Sequence, residues 1–257
     1  MRKLQYSIIA LCLLTFFYCS NDESETETED DVDTTAVDIT SVVQVNFNND
    51  YTDGVSVEVN DNSITIRSTG LPDHKTPYWG EGHEMYEEFP GTNHANANTS
   101  MTTFNYAMTI PTNPTEATNK EETELGAVGM ALNGAPIYND YEGMGVLTEI
   151  AWSTFDASGA HPGPNEDYHY HSEGTYLTVD DNNLIGFLRD GFPVYGRKDE
   201  DETYPSDLDE NGGHIGTTED FSDAIYHYHV SSEEYSTSGL FVIKSGAYHG
   251  TKGTFTQ

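Results

Sequence analysis

Two tetrapeptides in this 257-residue chain stand apart by their chemistry. Tyr168-His169-Tyr170-His171 recurs as Tyr226-His227-Tyr228-His229, 58 positions on. With 17 Tyr and 10 His, chance would give one such tetrapeptide about 10⁻³ times per chain. In an extended strand, residues i and i+2 share a face. His169 and His171 then point one way and Tyr168 and Tyr170 the other; the second copy divides likewise. Two imidazoles so spaced can meet one cation at about 2.0–2.1 Å. Four imidazoles from two strands could close one shared site. His161 and His214 raise the candidate ligands to six, enough for two ions. The Tyr residues would pack behind the strands and orient the imidazoles as outer partners. Imidazole without thiolate suits zinc, copper, nickel or ferrous iron, with zinc and copper foremost. The competing reading has the imidazoles hydrogen-bonded to an acidic surface and the Tyr rings filling core.

Other candidates carry less. Asp207, Asp209 and Asn211 are spaced like the first half of a calcium loop with Gly212 at the turn, but Thr218 stands where its bidentate Glu belongs. An acidic turn leading into His214 is the simpler reading. His74 could complete a site or act as a base. His83, His94 and His249 are single histidines, more often surface groups than ligands. Arg189 and Arg197 form ion pairs or anchor an anion. There is no Gly-x-Ser-x-Gly, no phosphate-cradling Gly-x-x-x-x-Gly-Lys and no His-Glu-x-x-His.

The elements that must position these residues read as strands. From about Val42 the pattern becomes strand-like. Val55–Val59 and Ile64–Ile66 alternate about Asn60-Asp61-Asn62, a hairpin. Residues 72–100 read as loop, Thr103–Ile110 as a strand, and 112–124 as a loop or short helix. Gly129-Met-Ala-Leu-Asn-Gly-Ala-Pro-Ile-Tyr138 aligns with Gly186-Phe-Leu-Arg-Asp-Gly-Phe-Pro-Val-Tyr195, an offset of 57. Each copy runs through a loop with one His to Tyr-His-Tyr-His. A strand follows each, Leu184–Leu188 and then Leu240–Ile243. The expected fold is mainly β, a sandwich or distorted barrel built from two copies of a roughly 57-residue unit, about 129–185 and 186–245.

Composition bounds the partners. Forty-four acids against ten Lys and Arg give a formal charge of −34, which opposes nucleic acid. Residues 1–19 carry Arg2 and Lys3 ahead of an apolar stretch too short to span a bilayer, the pattern of an export signal. Cys19 is the candidate acylated cysteine of a lipoprotein, although Tyr18 departs from the small residue usual before it. Cys12 would leave with the signal, so the mature chain could form no internal disulfide. Residues 20–37 hold a run of acids and read as a disordered tether, and 38–257 as the folded domain. Ser20-Asn21-Asp22-Glu23 resembles surface-exposed lipoproteins of the Bacteroidetes type.

The paired tetrapeptides, with Pro72-Asp-His74, Asn133-Gly-Ala-Pro-Ile-Tyr138, Asp190-Gly-Phe-Pro-Val-Tyr195 and Leu208-Asp-Glu-Asn-Gly-Gly-His214, resemble the YHYH domain family over about residues 60–245. The resemblance implies an exported domain and brings no reaction with it. Relatives often carry a Cys near Glu210; here Asn211 stands beside it. Two function classes follow. One is an exported, lipid-anchored outer-membrane protein whose His-x-His strands bind a transition metal, either hydrolytic or oxidative in action. The other is a non-catalytic surface module binding a glycan, protein or small molecule, with the His/Tyr cluster structural.

Overall fold

The structure is a computed structural model describing residues 36–90, 100–143, 145–172 and 181–257. Cys19, the segments read as signal and tether up to residue 35, and His94 lie outside the described residues. Residues 36–257 form a compact unit.

The chain enters through a short helix, α1 (Thr40–Asn46), where the sequence pattern suggested a strand. Ile39, Val43 and Phe47 recur every fourth residue and are all buried, so one helical face meets the core and overrides the β-branched preference for strand. The expected hairpin is present as β1 (Val55–Asn60) and β2 (Ser63–Ser68). With β3 (Tyr106–Pro111) and the C-terminal β14 (Thr254–Thr256) they form a four-stranded antiparallel sheet in the order β1-β2-β3-β14. Burial alternates along β2 and β3, placing Ile64, Ile66, Met108 and Ile110 on one covered face.

The second sheet has eight strands. In chain order these are β4 (Gly129–Ala131), β5 (Pro136–Ile137), β8 (Ala160–Pro162), β9 (Tyr168–Tyr170), β10 (Leu184–Leu188), β11 (Pro193–Tyr195), β12 (Gly213–Gly216) and β13 (Ile225–His229). A separate ribbon, β6 (Tyr141–Glu142) with β7 (Gly145–Val146), leads to a short helix α2 (Glu149–Trp152). The spatial order is β12-β13-β11-β10-β4-β5-β9-β8. Its pairing scheme reads the same from either edge. The outer pairs β8/β9 and β12/β13 are antiparallel, β5/β9 and β11/β13 are parallel, and the hairpins β4/β5 and β10/β11 are antiparallel. At the centre β4 and β10 pair antiparallel with Met130 opposite Phe187, residues aligned at the offset of 57. The two halves are therefore related across that pair. The hairpins turn at Gly134 and Gly191, both at φ 89°, the positive region that the Asn-Gly and Asp-Gly dipeptides supply.

Residues of both sheets share one core, in which Ile66 and Met108 join Met130, Ile137, Phe187 and Val194. The arrangement is sandwich-like, and the larger sheet ends in open edges and does not close as a barrel. Leu240–Ile243 is not a strand; it contributes a single bridge, Val242 to Ser172. Residues 112–124 are loop. Among the described residues no helix is long and apolar enough to cross a membrane.

Candidate metal centres

The strands bearing the two His-x-His pairs do not meet. β9 and β13 lie in opposite halves of the larger sheet, with four strands between them. The shared four-histidine site expected from the sequence is therefore replaced by two separate groups. Glu142, His161, His169 and His171 form the first; Asp199, His214, His227 and His229 form the second. Each could hold a metal ion.

Pairing explains how each third histidine arrives. His161 on β8 lies opposite His169 on β9, and His214 on β12 lies opposite His227 on β13. Residues directly opposite in an antiparallel ladder project to the same face. The carboxylates come from outside the sheet. Glu142 ends the β6 arm of the small ribbon, and Asp199 lies in the loop after β11. Neither was singled out in the sequence, although a signal was there: they lie 57 apart, each four residues beyond the aligned Tyr138 or Tyr195.

In the first centre the imidazole Nε2 atoms converge on Glu142 Oε2, at 3.0 Å for His171, 3.4 Å for His161 and 3.8 Å for His169. His169 Nε2 and His171 Nε2 are 3.0 Å apart. In the second, Asp199 Oδ1 lies 3.1 Å from His214 Nε2, 3.3 Å from His229 Nε2 and 3.9 Å from His227 Nε2. His214 Nε2 is 3.0 Å from His227 Nε2 and 3.3 Å from His229 Nε2.

The opposite ring nitrogens settle the tautomers. His169 Nδ1 donates to the Asp167 carbonyl at 2.8 Å and His171 Nδ1 to the Asn139 carbonyl at 2.7 Å. His227 Nδ1 donates to the Ile225 carbonyl at 3.0 Å and His229 Nδ1 to the Gly196 carbonyl at 2.7 Å. A carbonyl can only accept, so each Nδ1 carries the proton. Thr154 Oγ1 gives its own proton to the Ala151 carbonyl at 2.7 Å and accepts from His161 Nδ1 at 2.7 Å. Asp207 Oδ1 accepts from His214 Nδ1 at 2.9 Å. In a neutral ring so held, Nε2 presents a bare lone pair. Each centre thus gathers three lone pairs and a carboxylate with no hydrogen among them. His161 Nε2 is buried and has no hydrogen-bond partner.

Burial favours the neutral form of four of the rings. It pushes His161 and His227 down to about 3 and lowers His171 and His229. The His214 N–H lowers Asp207.

The remaining sequence candidates lie elsewhere. The motif tyrosines do not orient the clustered imidazoles, as had been expected. They face the opposite side of their strands and join the core. The expected outer partners are instead backbone carbonyls, Thr154 and Asp207. Tyr170 Oη meets Asn133 Nδ2 at 2.8 Å, and Tyr228 Oη donates to Asp190 at 2.7 Å. Asn133 and Asp190 are the aligned turn residues of the two hairpins, so the second Tyr of each motif ties its strand to that turn. Tyr168 Oη donates to buried Asp156 at 2.6 Å, and Tyr226 Oη to Asp209 at 3.1 Å. His74 is not a ligand: its Nδ1 donates to the Lys75 carbonyl at 2.9 Å and its Nε2 accepts from Tyr170 Oη at 2.8 Å. Asp209 accepts from the Asn211 and Gly213 amides and Tyr226, an acidic turn and not a calcium loop. His83 stacks on Trp79 at 4.6 Å, and His249 on Tyr226 at 3.6 Å. Arg197 pairs with Asp181 at 2.8 Å, and Arg189 donates to the Gly253 carbonyl at 3.1 Å.

With this geometry in hand, the chain can be compared with known proteins. Residues 107–205 match the YHYH protein family. The YHYH match takes in the first centre whole and Asp199 of the second, and ends before His214, His227 and His229. No curated protein and no solved structure matches the chain.

Proposed function

We propose that the protein binds two transition-metal ions, one in each three-histidine, one-carboxylate centre. The observation that carries this is the set of bare Nε2 atoms 3.0 Å apart, with every Nδ1 proton committed on the far side of its ring. Neutral lone pairs at that distance repel in a buried site. A cation among them turns the repulsion into four bonds.

The separations support zinc over square-planar copper(II). Four ligands at 2.0–2.1 Å in a tetrahedron lie about 3.3–3.4 Å apart. In the second centre the distances from Asp199 and His214 to the other ligand atoms run from 3.0 to 3.9 Å. In a square plane the longest, Asp199 to His227, would be a diagonal, and the other diagonal would be His214 to His229. That distance is only 3.3 Å, far short of the diagonal of about 4.1 Å that such a plane needs. Imidazole with one carboxylate and no thiolate fits either ion chemically.

Elemental analysis of the purified protein tests the reading. Two zinc or copper ions per chain are expected. One should remain in a His169→Ala/His171→Ala variant and one in His227→Ala/His229→Ala. An unloaded protein after reconstitution, or loss of both ions from either variant with the fold intact, would refute it.

The export reading belongs with this proposal. Residues 1–19 and Cys19 support a lipid-anchored protein at the outer membrane, and the charge of −34 supports partners other than nucleic acid. Metabolic labelling with a radioactive fatty acid, lost in Cys19→Ala, checks the anchor. A structural role is favoured for the first centre by its aromatic walls: Tyr138 stacks on His169 with centroids 3.9 Å apart, and Phe155 on His171 at 5.2 Å.

A further inference from the structure

The two centres share their ligand set and differ in their surroundings. Tyr138 lies flat on His169, tilted by only 19°, and Phe155 lies flat on His171 at 10°. The aligned Tyr195 of the second half stands edge-on to His227 instead, at 5.5 Å and 78°. Its hydroxyl is drawn aside to Thr218 at 2.8 Å and Asp220 at 3.0 Å. Where a ring covers the first centre, the second has a cavity of about 50 Å³ lined by His227, His229 and Asp199. That is several times the roughly 10–15 Å³ that one water requires. His214 and its counterpart His161 are covered alike, at 10% and 9% side-chain exposure, but the Asp207 that orients His214 is 70% exposed.

We infer that the second centre takes an exogenous ligand from this cavity, a water or a monovalent anion of no more than about three heavy atoms, while the first is closed. The inference rests on reading both groups as metal centres. Cavity volume sets the size limit. Charge sets the class: Lys198 is outnumbered by Asp199, Glu200 and Glu219 around the same space, so a multiply charged oxyanion is repelled and a neutral or singly charged ligand is tolerated. Three lining residues supply ligand atoms, so a molecule in the cavity lies against the ion as a fifth ligand, an expansion zinc accepts. The second centre is thereby the one able to act on a small molecule.

Cobalt(II) reports the coordination number in its visible absorption, and azide serves as the triatomic probe. The full chain is loaded with cobalt and titrated with azide. A saturable spectral change is expected in the wild type and in His169→Ala/His171→Ala, and none in His227→Ala/His229→Ala. Thr217 is exposed at the cavity rim; Thr217→Trp should keep both cobalt ions and weaken azide at least tenfold. Cobalt bound at both centres with no azide response overturns the inference alone. So does a response that survives loss of the second centre or is unchanged by Thr217→Trp. A chain that takes up no cobalt overturns the metal reading itself.

Discussion

Replacing Tyr228 by Phe tests what the motif tyrosines do. Its hydroxyl donates to Asp190 Oδ2 at 2.7 Å and accepts from the His249 amide at 2.7 Å. Asp190 is wholly buried. Tyr228→Phe therefore strips one partner from a buried carboxylate and leaves a buried amide N–H unpaired. A hydrogen bond to a charged group contributes about 1.5–3 kcal/mol, and an orphaned buried donor costs about 1–3 kcal/mol. The expected loss is about 3–5 kcal/mol. Tyr226→Phe is the internal control. Its hydroxyl bonds to Asp209, which is exposed, so water replaces the lost donor and the cost should stay near 1 kcal/mol. Thermal unfolding of the two variants should differ by about 5–15 °C, since each kcal/mol shifts a domain of this size by about 2–4 °C. Metal content should be unchanged in both. Equal losses in the two variants would refute the reasoning. So would loss of the second ion from Tyr228→Phe at unchanged stability, because it would put the hydroxyl in the service of the imidazoles.

Three further outcomes are expected. Thr154→Val removes the acceptor that commits the His161 Nδ1 proton, and should weaken the first centre about 10–100-fold. Asp207→Asn keeps an acceptor for His214 and should weaken the second by less; competition with a chromophoric chelator measures both. Gly186→Ala would drive a methyl group into the Met130 carbonyl and Ala131 at the centre of the large sheet. A loss of at least about 2 kcal/mol is expected in equilibrium unfolding, whereas Gly143→Ala, with open space around it, should change stability by less than about 0.5 kcal/mol. Burial raises the Asp190 carboxyl above 3.8. The folded chain then holds that proton more tightly than the unfolded one, so this residue's contribution is most favourable below pH 3.8 and is lost as pH rises through the folded value. The stability of wild type relative to Asp190→Asn should fall above pH 3.8 by up to about 1.4 kcal/mol per pH unit. A difference that stays flat from pH 4 to 7 would count against it.

Local periodicity decided much of this protein. Alternation along Val55–Val59 and Ile64–Ile66 fixes a hairpin, because each strand must put one side in the core and the turn residues lie between. The same period of two sets the imidazoles of Tyr-His-Tyr-His on one face and the phenols on the other. The aligned segments at an offset of 57 already imply equivalent hairpins, and with them a mainly β architecture. Helix α1 was misread because a run such as Val42-Val43 prefers strand locally, while its burial every fourth residue is imposed by the sheet beneath it. The site was half legible for a related reason. Which histidines share a face is a property of three consecutive residues. Which faces come together depends on strand order, and the β4–β10 pair at the centre carries β9 and β13 to opposite halves. Glu142 and Asp199 enter from a ribbon and a loop whose approach no periodicity records. Only the tertiary structure could turn one supposed four-histidine site into two three-histidine, one-carboxylate centres, because ligand convergence is set by contacts between segments far apart in the chain.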